Sequence, residues 1–146
     1  MFIKQISVFL ENKPGTLWEM TDLLGRSDID LLGLSIADTQ SFGIVRLIVH
    51  SDQIDKALQL LRDAGYIARI NHVICAAVPD KPRGLASLLA IIDQAGLSVE
   101  YMYSFLRTNE SGTAHMILRL NDGKRAAQIF SMKDVTMLSQ EEVDAL

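Results

Sequence analysis

The chain has 146 residues, 49% hydrophobic and 22% charged, which excludes a disordered polymer and leaves room for one average domain or two small ones. Fourteen Lys and Arg stand against eighteen Asp and Glu, a formal charge of −4, which argues against an electrostatic grip on nucleic-acid phosphates. Cys75 is the one cysteine, which excludes an intrachain disulfide and a multi-cysteine metal site.

In chain order, residues 2–10 carry Ile6, Val8 and Leu10 at period two and read as a half-buried strand. The same N-terminal stretch lacks the cleavage site of a signal peptide. No window holds the ~18 apolar residues of a membrane span, so a cytoplasmic location is expected. Asn12-Lys13-Pro14-Gly15 breaks the strand. Thr16 then reads as a helix N-cap, with Glu19 completing a capping box. Leu17, Met20, Leu23 and Leu24 form a helical stripe to about residue 26. Strands at 29–38 and 42–50 flank a hairpin at Thr39-Gln40-Ser41. A second helix starts behind Ser51 or Asp52, presents Ile54, Ala57, Leu58 and Leu61, and stops at Gly65. Residues 66–71 form a fourth strand. The order then recurs: strand 72–78, helix 84–95, strands 97–107 and 113–120 around Asn109-Glu110-Ser111-Gly112, helix 122–132 and a short strand at 134–138. The final SQEEVDAL reads as a frayed tail.

The recurrence is an internal repeat. Residues 11–38 align with 79–106 without a gap, matching Lys13, Pro14 and Leu17 with Lys81, Pro82 and Leu85. Met20, Leu24, Ile29 and Leu31 fall on Leu88, Ile92, Leu97 and Val99. One extra residue in the later hairpin then places Val45, Leu47, Val49 and Ala57 on Ala114, Met116, Leu118 and Ala126. The chain is thus expected to be α+β, two tandem units at 1–71 and 72–146. Each is a βαββαβ ferredoxin-like fold with helices on one face of an antiparallel sheet. Units of roughly 70 residues bury thin cores and leave sheet edges open, so association of the copies is expected.

The Glu11-Asn12-Lys13-Pro14-Gly15-Thr16-Leu17 loop, with its helix and the following Ile29-Asp30-Leu31, resembles the ACT domain. The loop is similar to the serine-sensing regulatory domain of phosphoglycerate dehydrogenase. Asp80-Lys81-Pro82-Arg83-Gly84-Leu85 and Leu97-Ser98-Val99 resemble the same parts in the second copy. The whole arrangement is similar to small stand-alone bacterial tandem-ACT proteins. The resemblance implies a cytoplasmic regulatory protein that binds a small amino acid at the junction of ACT units. It implies no catalysis and no cofactor, a homodimer, and action on a partner enzyme or pathway. Transferred residue by residue, it puts Asn12 and Asp80 at the ligand-binding loop position. Asp30 and Ser98 take the position of the partner strand's Asn. One composite site would join Asn12, Lys13, Pro14, Gly15, Thr16 and Leu17 to Ser98, Glu100, Tyr101 and Met102. The other would join Asp80, Arg83, Gly84 and Leu85 to Asp30 and Leu32. The pattern departs at Leu10 (His in the serine sensors), at Asp30 (Asn) and at Arg83 (Gly15 in copy one), which counts against serine as the ligand.

The chemistry of the loop stands without the resemblance. Unpaired N–H groups at a helix start attract a carboxylate. Gly15 admits a ligand close to the backbone, and Asn12 offers a donor and an acceptor without charge. Arg83 either clamps a carboxylate or fills its own pocket. Tyr101, Tyr103 and Phe105 share one sheet face, where packing or a subunit contact outweighs ligand stacking. Trp18 reads as an interface or core filler. His50, His72 and His115 are scattered, so no metal site is expected, and Cys75 has no activating neighbour. An acylphosphatase-type enzyme is the alternative; it needs an Arg and an Asn in the first loop, for which Lys13 and Asn12 are poor matches.

Overall fold

The computed structural model describes residues 1–38, 41–106 and 112–146. Thr39 and Gln40 of the first expected hairpin, and Asn109, Glu110 and Ser111 of the second, lie outside the described residues. The chain divides into two compact units, Lys4–Asn71 and His72–Leu146, the second including Met1–Ile3.

The first unit is built from β1 (Ile3–Glu11), α1 (Thr16–Arg26), β2 (Leu31–Asp38), β3 (Phe42–Val49), a 3₁₀ turn (Ser51–Gln53), α2 (Ile54–Asp63) and the start of β4 (Ile67–Pro79). Its antiparallel sheet runs β2-β3-β1-β4. Alternation sends Ile6, Val8 and Leu10 to one face, where they meet Val45, Leu47 and Val49. Met20 and Leu24 of α1 and Ile54, Ala57 and Leu61 of α2 close the same core. On the opposite face Gln5 and Ser7 are buried but satisfied, Gln5 Nε2 donating to Ser7 Oγ at 3.1 Å and Ser7 Oγ to Asn71 Oδ1 at 2.6 Å.

The second unit repeats the plan with the rest of β4, α3 (Gly84–Gln94), β5 (Val99–Ser104), β6 (Thr113–Leu120), α4 (Gly123–Met132), β7 (Thr136–Met137) and a further α5 (Gln140–Asp144). Here the order is β5-β6-β4-β7. Ile74, Ala76, Val78, Leu88, Ile92, Leu118, Ala126 and Phe130 form its core, each the counterpart of a core residue in the first unit. Both units are α+β, ferredoxin-like and tandem, as the pattern predicts. In each, the residue after the helix turn folds back onto the helix end: Ile29 N–H donates to Leu24 O and Leu97 N–H to Ile92 O, both at 3.1 Å. These bonds hold Ile29 and Leu97 in the cores, so β2 and β5 begin two residues later than periodicity predicts.

Four expectations are corrected. Strands 66–71 and 72–78 are one strand, β4. Thr16 is no N-cap; Gly15 takes that position at φ +88°, and the Thr16 hydroxyl donates to Glu11 O at 2.9 Å and Lys13 O at 3.0 Å. A hydroxyl spent as donor to two carbonyls ties the helix to the strand and forms no capping box. The tail is not frayed: Ser139 and Glu142 make the reciprocal capping box of α5, and Val143 is fully buried. Finally, the hairpin of the second copy is three residues longer, not one. Leu10 pairs with Gly43 where its counterpart Val78 pairs with Ala114, so Val45 and Leu47 correspond to Met116 and Leu118. The two-residue error keeps every side chain on its face, which is why period-two patterning does not expose it.

Candidate functional site

The two loops ahead of α1 and α3 share one hydrogen-bond frame. Asn12 N–H donates to Ser41 O (3.1 Å), Lys13 N–H to Glu11 O (2.9 Å), Thr16 N–H to Lys13 O (3.3 Å) and Glu19 N–H to Gly15 O (2.9 Å). In the second unit Asp80 N–H donates to Gly112 O (2.8 Å), Lys81 to Pro79 O (2.9 Å), Gly84 to Lys81 O (3.0 Å) and Ser87 to Arg83 O (2.9 Å). The second bond of each set closes a three-residue turn around Asn12 or Asp80, leaving both side chains exposed. The N–H groups of Gly15, Leu17 and Trp18 have no acceptor among the described residues. They sit at the positive end of α1, an arrangement that draws carboxylates.

Gly15 and Arg83 occupy the same left-handed conformation, at φ +88° and +74°. A Cβ at Gly15 would meet nothing within 4 Å, so the approach to the backbone is open there. Arg83 adopts that conformation with a full side chain exposed to solvent. The glycine of the second loop is one residue on. A Cβ on buried Gly84 would lie 2.0 Å from Pro79 O, so the helix start is pressed directly on the strand end. In the first unit the Thr16 hydroxyl bridges that gap instead.

Charge in the first loop is internally balanced. Lys13 Nζ lies 2.7 Å from Glu11 Oε2. Their hydrogen bond, reinforced by the opposite charges, holds the Glu11 carboxyl below and the Lys13 ammonium above their ordinary pKa values. A cation already engaged by a carboxylate is a weak phosphate clamp, which bears against the acylphosphatase alternative.

The expected partner-strand residues lie elsewhere in each unit. Asp30 is exposed ahead of β2, and Leu32 is buried at the bulge where β2 steps between Leu31 and Gly33. Glu100 takes the same bulge position in β5, between Val99 and Tyr101, and pairs with Arg119 at 3.1 Å. Ser98 is bracketed by Asn121, its N–H donating to Oδ1 at 2.9 Å while its carbonyl accepts from Asn121 N–H at 3.1 Å. Tyr101 and Met102 are half-buried, and Tyr101 stacks on Tyr103 with centroids 6.5 Å apart. Within a unit the loop and the strand start are at opposite ends of an eleven-residue helix, about 16 Å long. Asn12–Leu17 therefore do not meet Asp30 and Leu32 in one unit, nor do Asp80–Leu85 meet Ser98–Met102.

One feature beside the first loop leaves little trace in the sequence. A cavity of about 350 Å³ opens between the end of β1, the first turn of α1 and the turn from α2 into β4. Phe9, Phe42, Tyr66 and Ile67 line it with Glu11 and Glu19. Its signal in the sequence is Phe9, a large apolar residue out of phase with Ile6, Val8 and Leu10. Elsewhere, Trp18 is 68% exposed rather than a core filler. Burial pushes the Cys75 thiol up to about 12, and the charge of Glu142 adds to the effect. Burial lowers the pKa of His115, whose ring meets Phe105 edge-on at 6.3 Å. Among the described residues no three His, Cys, Asp or Glu side chains gather into a metal-holding group, and no helix is long and apolar enough to cross a membrane.

Two βαββαβ units, each with a strand–turn–helix loop of the same bonding pattern, define a tandem ferredoxin-like architecture. The family model described as the ACT domain pair matches residues 1–146, and the chain belongs to that family. It is similar to the crystal structure of protein BT0572 from Bacteroides thetaiotaomicron, with 34% identity over 100% of this chain and 98% of that one, at TM-score 0.88. The ligand-free regulatory subunit of aspartate kinase from Thermus thermophilus shares the fold at TM-score 0.62 and 15% identity, over 88% of this chain and 91% of that one. E. coli aspartokinase III in complex with lysine and aspartate does so at TM-score 0.51 and 14% identity, over 90% of this chain and 31% of that one. No curated protein matches the sequence.

Proposed function

We propose that the chain, as ACT units 1–71 and 72–146, is an amino-acid-binding regulatory protein without catalytic activity of its own. A small amino acid is held at the junction of ACT units by the Asn12–Leu17 loop, and the liganded form acts on a partner enzyme. The observation that carries this reading is the open helix start at Gly15: three N–H groups without acceptors among the described residues, beside a left-handed glycine whose Cβ position is empty. The carboxylate of the ligand takes those N–H groups, and the Asn12 amide takes its ammonium through Oδ1. The neutral Lys13–Glu11 pair adds no net charge, which suits a zwitterion. The exposed strand start at Ser98 completes this site from a neighbouring ACT unit in a homodimer, as Asp30 would complete the site of the Asp80 loop. Ligand and partner affinities are then coupled reciprocally by ~1–3 kcal/mol.

The test is a thermal-shift screen of the twenty amino acids at millimolar concentration. A ligand at about 100 Kd stabilises the native state by ~2.7 kcal/mol and raises Tm. Gly15→Val, whose cost is the strain of a β-branched residue at positive φ, about 1–3 kcal/mol, should stay folded at a lower baseline and lose the ligand-induced rise. Asn12→Ala should lose most of it without the baseline change. A screen with no response, or an undiminished rise in both variants, overturns the reading.

A further inference from the structure

We infer that the cavity beside α1 binds an organic ammonium ion with an apolar body, at a site that adjoins the helix start through Thr16 and extends from it toward the turn between α2 and β4. Exposed large apolar residues are ordinary when scattered and informative when grouped around one concavity. Phe9 is 39% exposed, Phe42 55% and Ile67 64%, and all three line the same 350 Å³ space together with Tyr66. The fold does not require them. The second unit builds the same strands and turns with Ala77, Thr113, Thr136 and Val135 in the corresponding places. Its counterpart of Glu19 is Ser87, so the acidic wall is also peculiar to the first unit.

The charged side chains that line the cavity are both carboxylates, Glu11 and Glu19. Among the described residues no Lys, Arg or His lines it. Glu11 is engaged by Lys13, whereas Glu19 forms no ion pair among the described residues. The turn at Ala64 and Gly65 follows the C-terminal end of α2, the negative end of its dipole. Arg62, the basic residue of that last turn, donates to Ala68 O at 3.2 and 3.1 Å and does not line the space. Glu19 sets a full negative charge against the roughly half positive charge of the α1 start, and with the aromatic walls and the C-terminal end of α2 it favours a cation that carries hydrocarbon over an anion.

The experiment uses the full chain and three matched probes: 2-phenylethylamine, 2-phenylethanol and 3-phenylpropionate, titrated by calorimetry. The amine should bind best, the alcohol about tenfold more weakly, and the anion least. Glu19→Gln should weaken the amine by about tenfold and leave the alcohol unchanged, while Phe42→Ser should weaken both. Equal affinity for all three probes, amine binding untouched by Phe42→Ser, or no amine binding at all overturns the proposal. So does a Phe42→Ser protein whose mass by light scattering falls while amine binding persists, because the patch is then covered by a second copy. Gly15→Val should abolish the amino-acid response and keep the amine response, which separates failure of this site from failure of the loop.

Discussion

Three left-handed positions recur in the two units, and each recurrence pairs a glycine with another residue: Gly15 with Arg83, Gly96 with Asp28, Gly65 with Asp134. The backbone path is therefore demanded by the fold at these points, whatever side chain stands there. Asp tolerates that conformation through local hydrogen bonding; Arg has no such compensation. Arg83→Gly should raise stability by ~0.5–1 kcal/mol, the relieved strain less the entropy of a freer unfolded chain, seen as a higher urea midpoint at unchanged m-value. A lower midpoint would mean that the arginine side chain itself stabilises the loop. Cys75 provides a pH-dependent case. Its thiol titrates near 9.0 when unfolded and about 12 when buried, so between these values only the unfolded chain loses the proton. Stability from this group is complete below about pH 9 and falls as pH rises toward 12, at up to ~1.4 kcal/mol per pH unit. The alkaline loss measured by urea unfolding should be shallower in Cys75→Ala by that amount; identical slopes would remove the buried thiol as the cause.

At the scale of elements, the capping signal Ser-x-x-Glu was present at Ser139–Glu142, where α5 forms, while the Thr16–Glu19 instance forms no box. The difference lies in the neighbour. A left-handed Gly15 takes the cap position of α1 and turns Thr16 inward toward the strand end, whereas Ser139 is extended and its oxygen faces the Glu142 N–H at 3.2 Å. Ser139→Ala should cost about 1 kcal/mol and raise hydrogen exchange at the Val143 N–H, which donates to Ser139 O. An unaffected midpoint would return this segment to a frayed tail. Strand faces and helix stripes were legible because burial alternates with the local geometry of each element. The true length of the second hairpin was not, since its displacement by two residues leaves those faces unchanged.

For the whole molecule, the two cores are built from corresponding positions, and Leu47 and Leu118 occupy the same fully buried place in each. Leu47→Ala and Leu118→Ala should each cost about 2–5 kcal/mol, whereas Ile36→Ala on the exposed part of β2 should stay within ~0.5 kcal/mol. Denaturant titration of the three variants checks this, and a small loss at either leucine would mean that its core relaxes around the gap. The amino-acid sequence by itself determined the duplication, the βαββαβ order and the core face of most elements, because each follows from hydrophobic period and turn residues a few positions apart. Tertiary structure alone decided the strand register and the pressing of Gly84 onto Pro79. It also decided the gathering of Phe9, Phe42, Tyr66 and Ile67 around one cavity with Glu19. Those features depend on distances between segments far apart in the chain, and side-chain periodicity carries no information about such distances.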